Sequence, residues 1–275
     1  MNDFVKYTLK VSEEQNDIVL AFLSQLPCDM MEDFEEGFSL SFEKSENLDE
    51  AVTSLMDIIE RFQLEYEKEE VKAQNWNAVW ESSFQPIYVG TYAQIRASFH
   101  EQKKDFQHDL LIDPQMSFGT GHHATTYMMV DAIQDLDLNE KSVMDYGCGT
   151  GILAILAAKE GAKPVLAFDI EENAYENSVS NAKINSVEHI SIFQGVLDGV
   201  EEGQTFDIIL ANINRNVILD SLEQLEKHLN PGGTLLISGI LIKDIPVIEE
   251  KAFASGFKAI EKNDRDGWVC YKFTK

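Results

Sequence analysis

The segment from Val143 to Gly151 restricts how this chain can fold more than any other feature of its sequence. It begins with apolar residues typical of a buried parallel strand, and it then places glycine at three alternate positions, Val-Met-Asp-Tyr-Gly-Cys-Gly-Thr-Gly. Residues 152–158 follow with a helix-forming composition. The pattern predicts a strand, a tight turn and a helix. The turn would bring its backbone close to a ligand, beside the free N–H groups of the helix N-terminus.

The spacing of these glycines indicates which kind of nucleotide cofactor the turn would bind. The dinucleotide-binding fingerprint G-x-G-x-x-G would need glycine at position 152, where this chain has Ile152. Asp145 stands two residues before Gly147, and Asp169 ends the next apolar segment, 22 residues beyond Gly147. An acidic residue at that end of a strand binds ribose hydroxyls in α/β sheets. The loop alone would also suit a structural turn, but the combination resembles the motifs of the class I S-adenosylmethionine (SAM) methyltransferases.

The order of strand and helix patterns predicts an α/β protein with two domains. Residues 1–71 predict the order β-α-β-(β)-α-β, which is typical of a small ferredoxin-like α+β domain. Residues 85–275 alternate strand and helix, so we expect a methyltransferase domain with a Rossmann-like, mainly parallel sheet and one antiparallel strand from the terminal hairpin. Residues 72–84 predict a linker helix, because large apolar side chains are spaced for one helix face: Trp76, Val79, Trp80 and Phe84.

A second informative segment runs from Asp113 to Thr126 and leads into a predicted helix. Asp-Pro begins a turn, two glycines flank Thr120, and the helix is expected to begin near His122. Adjacent histidines could suggest a metal site, but His122 and His123 would point to different sides of a helix, and no carboxylate lies four residues away. We therefore expect no metal, and we assign both histidines to packing and hydrogen bonding around the site.

A third informative segment is the strand predicted over residues 206–214, with Asn212 at its carboxyl end. Ligands of α/β sheets bind outside the carboxyl ends of the strands. An asparagine at that position is therefore a candidate site residue rather than a chance polar group.

These motifs together are similar to those of one family, the ribosomal protein L-eleven methyltransferases of the PrmA type. The similarity covers about residues 110–275, and the first domain resembles the family's substrate-recognition domain in layout only. Ala124 departs from the family pattern by replacing an acidic residue, and Tyr146 and Cys148 vary the glycine motif. The segments that carry the resemblance are Asp113-Pro-x-Met-x-Phe-Gly-Thr-Gly-His-His-x-Thr-Thr126, Asp145-x-Gly-x-Gly-x-Gly151, Ala211-Asn-Ile213, Pro231-Gly-Gly and Ser238-Gly-Ile240.

The resemblance implies a SAM-dependent protein N-methyltransferase that methylates, up to trimethylation, lysine and N-terminal amines of the large-subunit ribosomal protein L-eleven. It implies that Asn212 is the catalytic residue, orienting a neutral amine, and that Asp169 accepts hydrogen bonds from the ribose. Asp145 and Gly151 would support the loop. No general base is obvious, and His122 is the candidate. The implied cofactor-binding residues are Phe118, Thr120, Thr126, Gly147, Gly149, Asp169 and Asn212.

The charge of the chain limits its partners. The net charge is −26, and residues 1–70 hold 19 acidic and 5 basic residues, a balance of −14. Such a field opposes binding to nucleic acid and to anionic membranes and favours a basic protein, although solubility or salt adaptation would explain the same composition. Three scattered cysteines, no apolar stretch of membrane-spanning length and no signal peptide at Met1 predict a cytoplasmic protein, which we expect to be monomeric.

Two other classes of function stay open at this stage. One is a SAM-dependent methyltransferase that acts on another protein, on glutamine or on a nucleic-acid amino group. Those families follow the asparagine with Pro-Pro and an aromatic residue, whereas this chain has Asn212-Ile213-Asn214-Arg215. The other is a non-catalytic module that binds SAM or docks on the ribosome, which the intact loop motifs disfavour.

Overall fold

The structure is a computed structural model that describes residues 4–12, 14–34, 36–44, 48–71, 85–113 and 117–275. The chain divides into two compact units, Met1–Phe84 and Gln85–Lys275. The linker helix predicted over residues 72–84 lies outside the described residues.

The first unit is a four-stranded antiparallel sheet in the order β2-β3-β1-β4. Strict alternation in β1 buries Val5, Tyr7 and Leu9, which pack in one apolar cluster with residues of both helices such as Leu23 and Leu55. The predicted order β-α-β-(β)-α-β is confirmed. The strand given in parentheses is present, because the segment between the two helices forms a hairpin of two strands, β2 and β3. The elements are β1 (Phe4–Lys10), α1 (Asn16–Leu23), β2 (Met30–Phe34), β3 (Gly37–Glu43), α2 (Leu48–Phe62) and β4 (Glu65–Val71).

The second unit begins with a small three-stranded sheet and continues with alternating strands and helices. The small sheet consists of β5 (Ile87–Val89), β6 (Ala93–Arg96) and β7 (His108–Leu111). The larger sheet consists of β8 (Val143–Tyr146), β9 (Val165–Asp169), β10 (Ser191–Gln194), β11 (Phe206–Asn212), β12 (Leu229–Leu241), β13 (Lys258–Arg265) and β14 (Trp268–Thr274). The helices are α3 (Ala124–Ile133), α4 (Ile152–Lys159), α5 (Glu172–Ile184), α6 (Arg215–His228) and α7 (Ile245–Ala254).

The seven strands of the larger sheet lie in the order β10-β9-β8-β11-β12-β14-β13. Neighbouring strands from β10 to β12 are parallel, and β14 is antiparallel to both β12 and β13. The antiparallel strand predicted for the terminal hairpin is therefore confirmed. Strands buried on both faces need continuous apolar segments, and Val143, Met144, Ile209 and Leu210 are fully buried.

Helices cover both faces of this sheet. One apolar cluster joins one face to α3, α4 and α5, and a second joins the other face to α6 and α7. The predicted Rossmann-like α/β class is confirmed. Strand β8 lies between β9 and β11 and is parallel to both. The carboxyl ends of the three strands therefore meet at one edge of the sheet, at Tyr146, Asp169 and Asn212.

Candidate functional site

A cavity of about 610 Å³ opens at this carboxyl edge. Its lining comes from the loop after β8, the end of β9, the residues after β10 and the end of β11, joined by the segment before α3 and by Trp268 of β14. Ligand sites in proteins have volumes of roughly 300–1,000 Å³. The cavity is therefore large enough for a nucleoside cofactor together with the end of a substrate side chain.

The glycine-rich loop forms one wall and adopts backbone angles that favour glycine. Gly147 and Gly149 have φ of +70° and +54°. A Cβ atom at Gly147 would lie 2.3 Å from Ile213 Cγ2, and one at Gly149 would lie 2.3 Å from the backbone oxygen of Phe118. Ile213 and Phe118, which are distant in sequence, thus lie where a side chain at these two positions would have to go, and glycine is needed at both.

Asp169 lies at the end of β9 and lines the cavity. Its Oδ2 accepts a hydrogen bond from Gly149 N at 2.9 Å, and its Oδ1 accepts one from Glu171 N at 3.1 Å. A carboxylate has about four lone-pair positions, so both oxygens keep capacity for hydroxyl donors. Asp169 therefore both fixes the glycine-rich loop and presents acceptors to a ligand.

Asp145 lies beneath the loop and is fully buried. Its Oδ2 accepts from Ala154 N at 3.0 Å, and its Oδ1 has no hydrogen-bond partner among the described residues. Burial raises the pKa of Asp145 to about 7, an effect that the Ala154 N–H opposes and the charge of Asp169 reinforces. With its pKa raised, Asp145 carries less negative charge near neutral pH than an ordinary carboxylate would at this position.

Asn212 lies at the end of β11, and its side chain spans from a buried helix to the cavity. Its Nδ2 donates to Thr126 Oγ1 at 3.3 Å, and Thr126 is itself fully buried in α3. Asn212 Oδ1 has no hydrogen-bond partner among the described residues. A buried amide oxygen left without a donor is costly, so this position is suited to accept a hydrogen bond from a bound molecule.

Three aromatic rings form another part of the cavity lining. His123 lies between Phe118 and Trp268, with ring centroids 5.2 Å and 4.8 Å away. His123 also caps α3, since its Nδ1 accepts from Thr125 N at 3.3 Å and lies 2.8 Å from Thr125 Oγ1. With Nδ1 accepting, the ring can donate a hydrogen bond only from Nε2.

The structure brings together five of the seven residues that the resemblance implies for cofactor binding. Phe118, Gly147, Gly149, Asp169 and Asn212 all line the cavity. Their assigned roles toward cofactor and substrate stay predictions.

Thr126, Thr120 and His122 are not part of this lining. Thr126 lies behind Asn212 rather than on the cavity wall. Thr120 Oγ1 lies 3.2 Å from His122 Nδ1, and His122 lines a separate cavity of about 230 Å³ that includes Tyr127 and Arg265. Neither Thr120 nor His122 is among the described residues that line the larger cavity. The cofactor contact implied for Thr120 and the candidacy of His122 as a general base stay predictions.

Several lining residues were not singled out from the sequence. Val196 follows β10, at the carboxyl end of a parallel strand, where ligands of such sheets bind. Gly239, near the end of β12, was quoted only within the Ser238-Gly-Ile240 motif and was given no role at the site. Trp268 begins an antiparallel strand and reaches the same edge because it pairs with Leu241. No local pattern in the sequence indicates that placement.

The described residues contain no group of three or more His, Cys, Asp or Glu side chains arranged to bind a metal ion. Among the helices within the described ranges, none combines the length and the apolar character that a membrane crossing requires.

Comparisons with known proteins identify relatives of this architecture over nearly the whole chain. The family model of ribosomal protein L11 methyltransferase (PrmA) matches residues 11–275. A ribosomal protein L11 methyltransferase of Bacteroides fragilis is 35% identical over 274 residues, which are 98% of each chain. One of Porphyromonas gingivalis is 43% identical over 201 residues, which are 73% of this chain and 69% of its own. The crystal structure of a ribosomal protein L11 methylase from Lactobacillus delbrueckii subsp. bulgaricus matches with a TM-score of 0.64 and 30% identity, covering 69% of this chain and 97% of that one.

Proposed function

The chain belongs to the PrmA family of ribosomal protein L11 methyltransferases, and we propose that it transfers methyl groups from SAM to amino groups of ribosomal protein L11. The observation that carries this proposal is the cavity at the carboxyl edge of the larger sheet. Three neighbouring strands each bring one group to this cavity: β8 leads into the glycine-rich loop, β9 ends at the Asp169 carboxylate, and β11 ends at Asn212. The Asn212 amide oxygen has no hydrogen-bond donor among the described residues.

The residues around the cavity fit a nucleoside cofactor. Asp169 would hold the ribose hydroxyls, and the loop from Gly147 to Gly149 would face the cofactor with its backbone. When bound, SAM would supply a methyl group on a sulfonium: the amine would attack the methyl carbon in line, the C–S bond would break, and the neutral thioether S-adenosylhomocysteine would leave. Such a displacement depends mainly on positioning, so the residues that hold the two reactants account for much of the rate.

The amine must be neutral before it can attack, although a free lysine has a pKa of about 10.4. An apolar site lowers that pKa, whereas nearby carboxylates raise it. Phe118, Trp268 and Ile213 provide apolar walls, and the raised pKa of Asp145 reduces the negative charge nearby. These features favour loss of the amine proton, while Asn212 Oδ1 would accept a hydrogen bond from the neutral amine and orient its lone pair.

His123 is the histidine that lines the cavity, but its geometry does not suit a general base. Its Nδ1 lone pair is engaged by Thr125, and the other ring nitrogen then holds a proton. We propose that His123 positions the aromatic wall and that the amine proton leaves to solvent before methyl transfer. One proton leaves for each methyl group that the amine accepts, so repeated cycles would permit trimethylation.

The first unit supports docking of a basic protein. Residues 1–70 have a net charge of −14, and every described side chain of β4 over residues 65–70 is exposed. Complementary charge raises association rates in a salt-dependent way. We extend the proposal to a monomeric cytoplasmic enzyme without direct binding to nucleic acid. Its three unpaired cysteines are compatible with a reducing compartment, and light scattering would test the monomer.

The test is transfer of labelled methyl groups from SAM to purified ribosomal protein L11, with ribosomal RNA as a parallel acceptor. We expect label on the protein amines and none on the RNA. Asn212→Ala should keep its SAM affinity within a few fold and lose methyl transfer. The control is Asn216→Ala, which removes an exposed amide one turn later and should keep both SAM affinity and methyl transfer. Label on the RNA alone would favour a nucleic-acid methyltransferase. Wild-type transfer by Asn212→Ala would remove its assigned role.

A further inference from the structure

Helix α5 and its C-cap residue Asn185 provide three buried asparagines at intervals of four residues, Asn177, Asn181 and Asn185, which we call the asparagine ladder. The interval places them on one face of the helix. Asparagine is a poor helix former, and burying an amide is costly unless it is hydrogen-bonded. Three such residues in a row therefore need a structural reason beyond helix formation.

The ladder holds the chain segment that leads into the loop carrying Phe118. Asn185 Oδ1 accepts from Leu111 N at 3.1 Å, and its Nδ2 donates to Leu111 O at 2.6 Å. Asn181 Oδ1 accepts from Asp113 N at 3.1 Å, and Asn177 Nδ2 donates to Asp113 O at 2.9 Å. The side chains thus satisfy the backbone of residues 111–113 in the way that a neighbouring strand would.

Asn181 differs from the other two because it also reaches the glycine-rich loop. Its Nδ2 donates to Thr150 O at 2.9 Å. Thr150 in turn holds the other segment: its N–H donates to Phe118 O at 2.9 Å, and its hydroxyl donates to Gly119 O at 2.8 Å. The side-chain amide of Asn181 therefore links Asp113 to Thr150, and Thr150 holds the glycine-rich loop against Phe118 and Gly119.

We propose that Asn181 is a positioning residue that holds the glycine-rich loop and the Phe118 segment at the separation that cofactor binding requires. It acts through Thr150 and Asp113 and does not line the cavity itself. This inference rests on the proposed function, since it concerns the binding of SAM.

The experiment compares Asn181→Ala with Asn185→Ala in the full chain. Both variants lose hydrogen bonds between a buried side chain and the backbone, so both should lower the melting temperature. Asn181→Ala should raise the Kd for SAM roughly tenfold, as expected for losing one or two buried hydrogen bonds. Asn185→Ala should leave that Kd within about twofold, because its contacts end at Leu111 and at Asn181 O.

Hydrogen exchange without SAM supplies a readout that does not depend on the cofactor. Asn181→Ala should speed exchange of the Thr150 and Asp113 amides, whereas Asn185→Ala should speed exchange at Leu111 and leave Thr150 unchanged. If Asn181→Ala does not fold, Asn181→Asp replaces it, with Asn185→Asp as its matched control. Each variant keeps an acceptor oxygen and loses its amide donor, so SAM binding should weaken in the first, which loses the bond to Thr150 O, and not in the second.

Equal SAM affinity and equal Thr150 exchange in the Asn181 and Asn185 variants would overturn the positioning role. Failure of the wild-type protein to bind SAM would instead overturn the proposed function, because that measurement involves no substitution.

Discussion

Replacing Gly149 with alanine tests whether the glycine-rich loop and the Phe118 segment depend on each other. Gly149 has φ of +54°, where a side chain costs about 1–2 kcal/mol. The new Cβ would also lie 2.3 Å from the backbone oxygen of Phe118, whereas ordinary contact begins at 3.4 Å. The two segments would have to separate by about 1 Å, because neither atom belongs to a flexible side chain.

That separation would strain two hydrogen bonds, each 2.9 Å long: Thr150 N to Phe118 O and Gly149 N to Asp169 Oδ2. A neutral bond contributes about 1 kcal/mol and one to a carboxylate about 1.5–3 kcal/mol. With the backbone strain, the expected loss is about 4 kcal/mol. For a unit of this size, that corresponds to a fall in melting temperature of roughly 8–16 °C.

Gly203→Ala is the matched control. Gly203 has φ of +83°, and a Cβ there would meet no atom within 4 Å. It should therefore lose only the strain of about 1–2 kcal/mol, or roughly 2–8 °C. Thermal unfolding measures both variants, and calorimetry below both melting temperatures measures SAM binding. Gly149→Ala should raise the Kd more than about tenfold and Gly203→Ala should not. Equal melting temperatures and equal affinities would refute the reasoning.

Three further predictions concern the cofactor, the buried carboxyl and the first unit. Asp169→Ala should weaken SAM binding by about 1–3 kcal/mol in calorimetry, and an unchanged affinity would contradict the ribose assignment. Because burial raises the pKa of Asp145 from 3.8 to about 7, its contribution to stability is lost as the pH rises through that range. Asp145→Asn should therefore raise the melting temperature more at about pH 8 than at about pH 5.5, and equal shifts would argue against a raised pKa. Removing residues 1–84 should leave SAM binding intact, since the described lining of the cavity lies within residues 85–275, but it should abolish methylation of L11. In the full chain, methylation should slow as the salt concentration rises.

The sequence by itself determined the fold class and the location of the site. A strand, a turn and a helix follow from local patterns of apolar residues and glycine, and parallel strands align their carboxyl ends. Asp169 and Asn212 could therefore be selected before any contact was known, because each ends an apolar strand segment. The division of the first unit into strands and helices followed from the same local periodicity.

Only the tertiary structure decided which side chains reach the cavity. Trp268 joins it through antiparallel pairing with Leu241, and His123 joins it through its cap on α3, whereas the adjacent His122 lies outside the described cavity lining. Asn181 is a polar residue of α5, yet it is fully buried, with its side chain hydrogen-bonded to the backbone of Asp113 and Thr150. These placements depend on register and packing between segments distant in the chain, and local propensity carries no information about them.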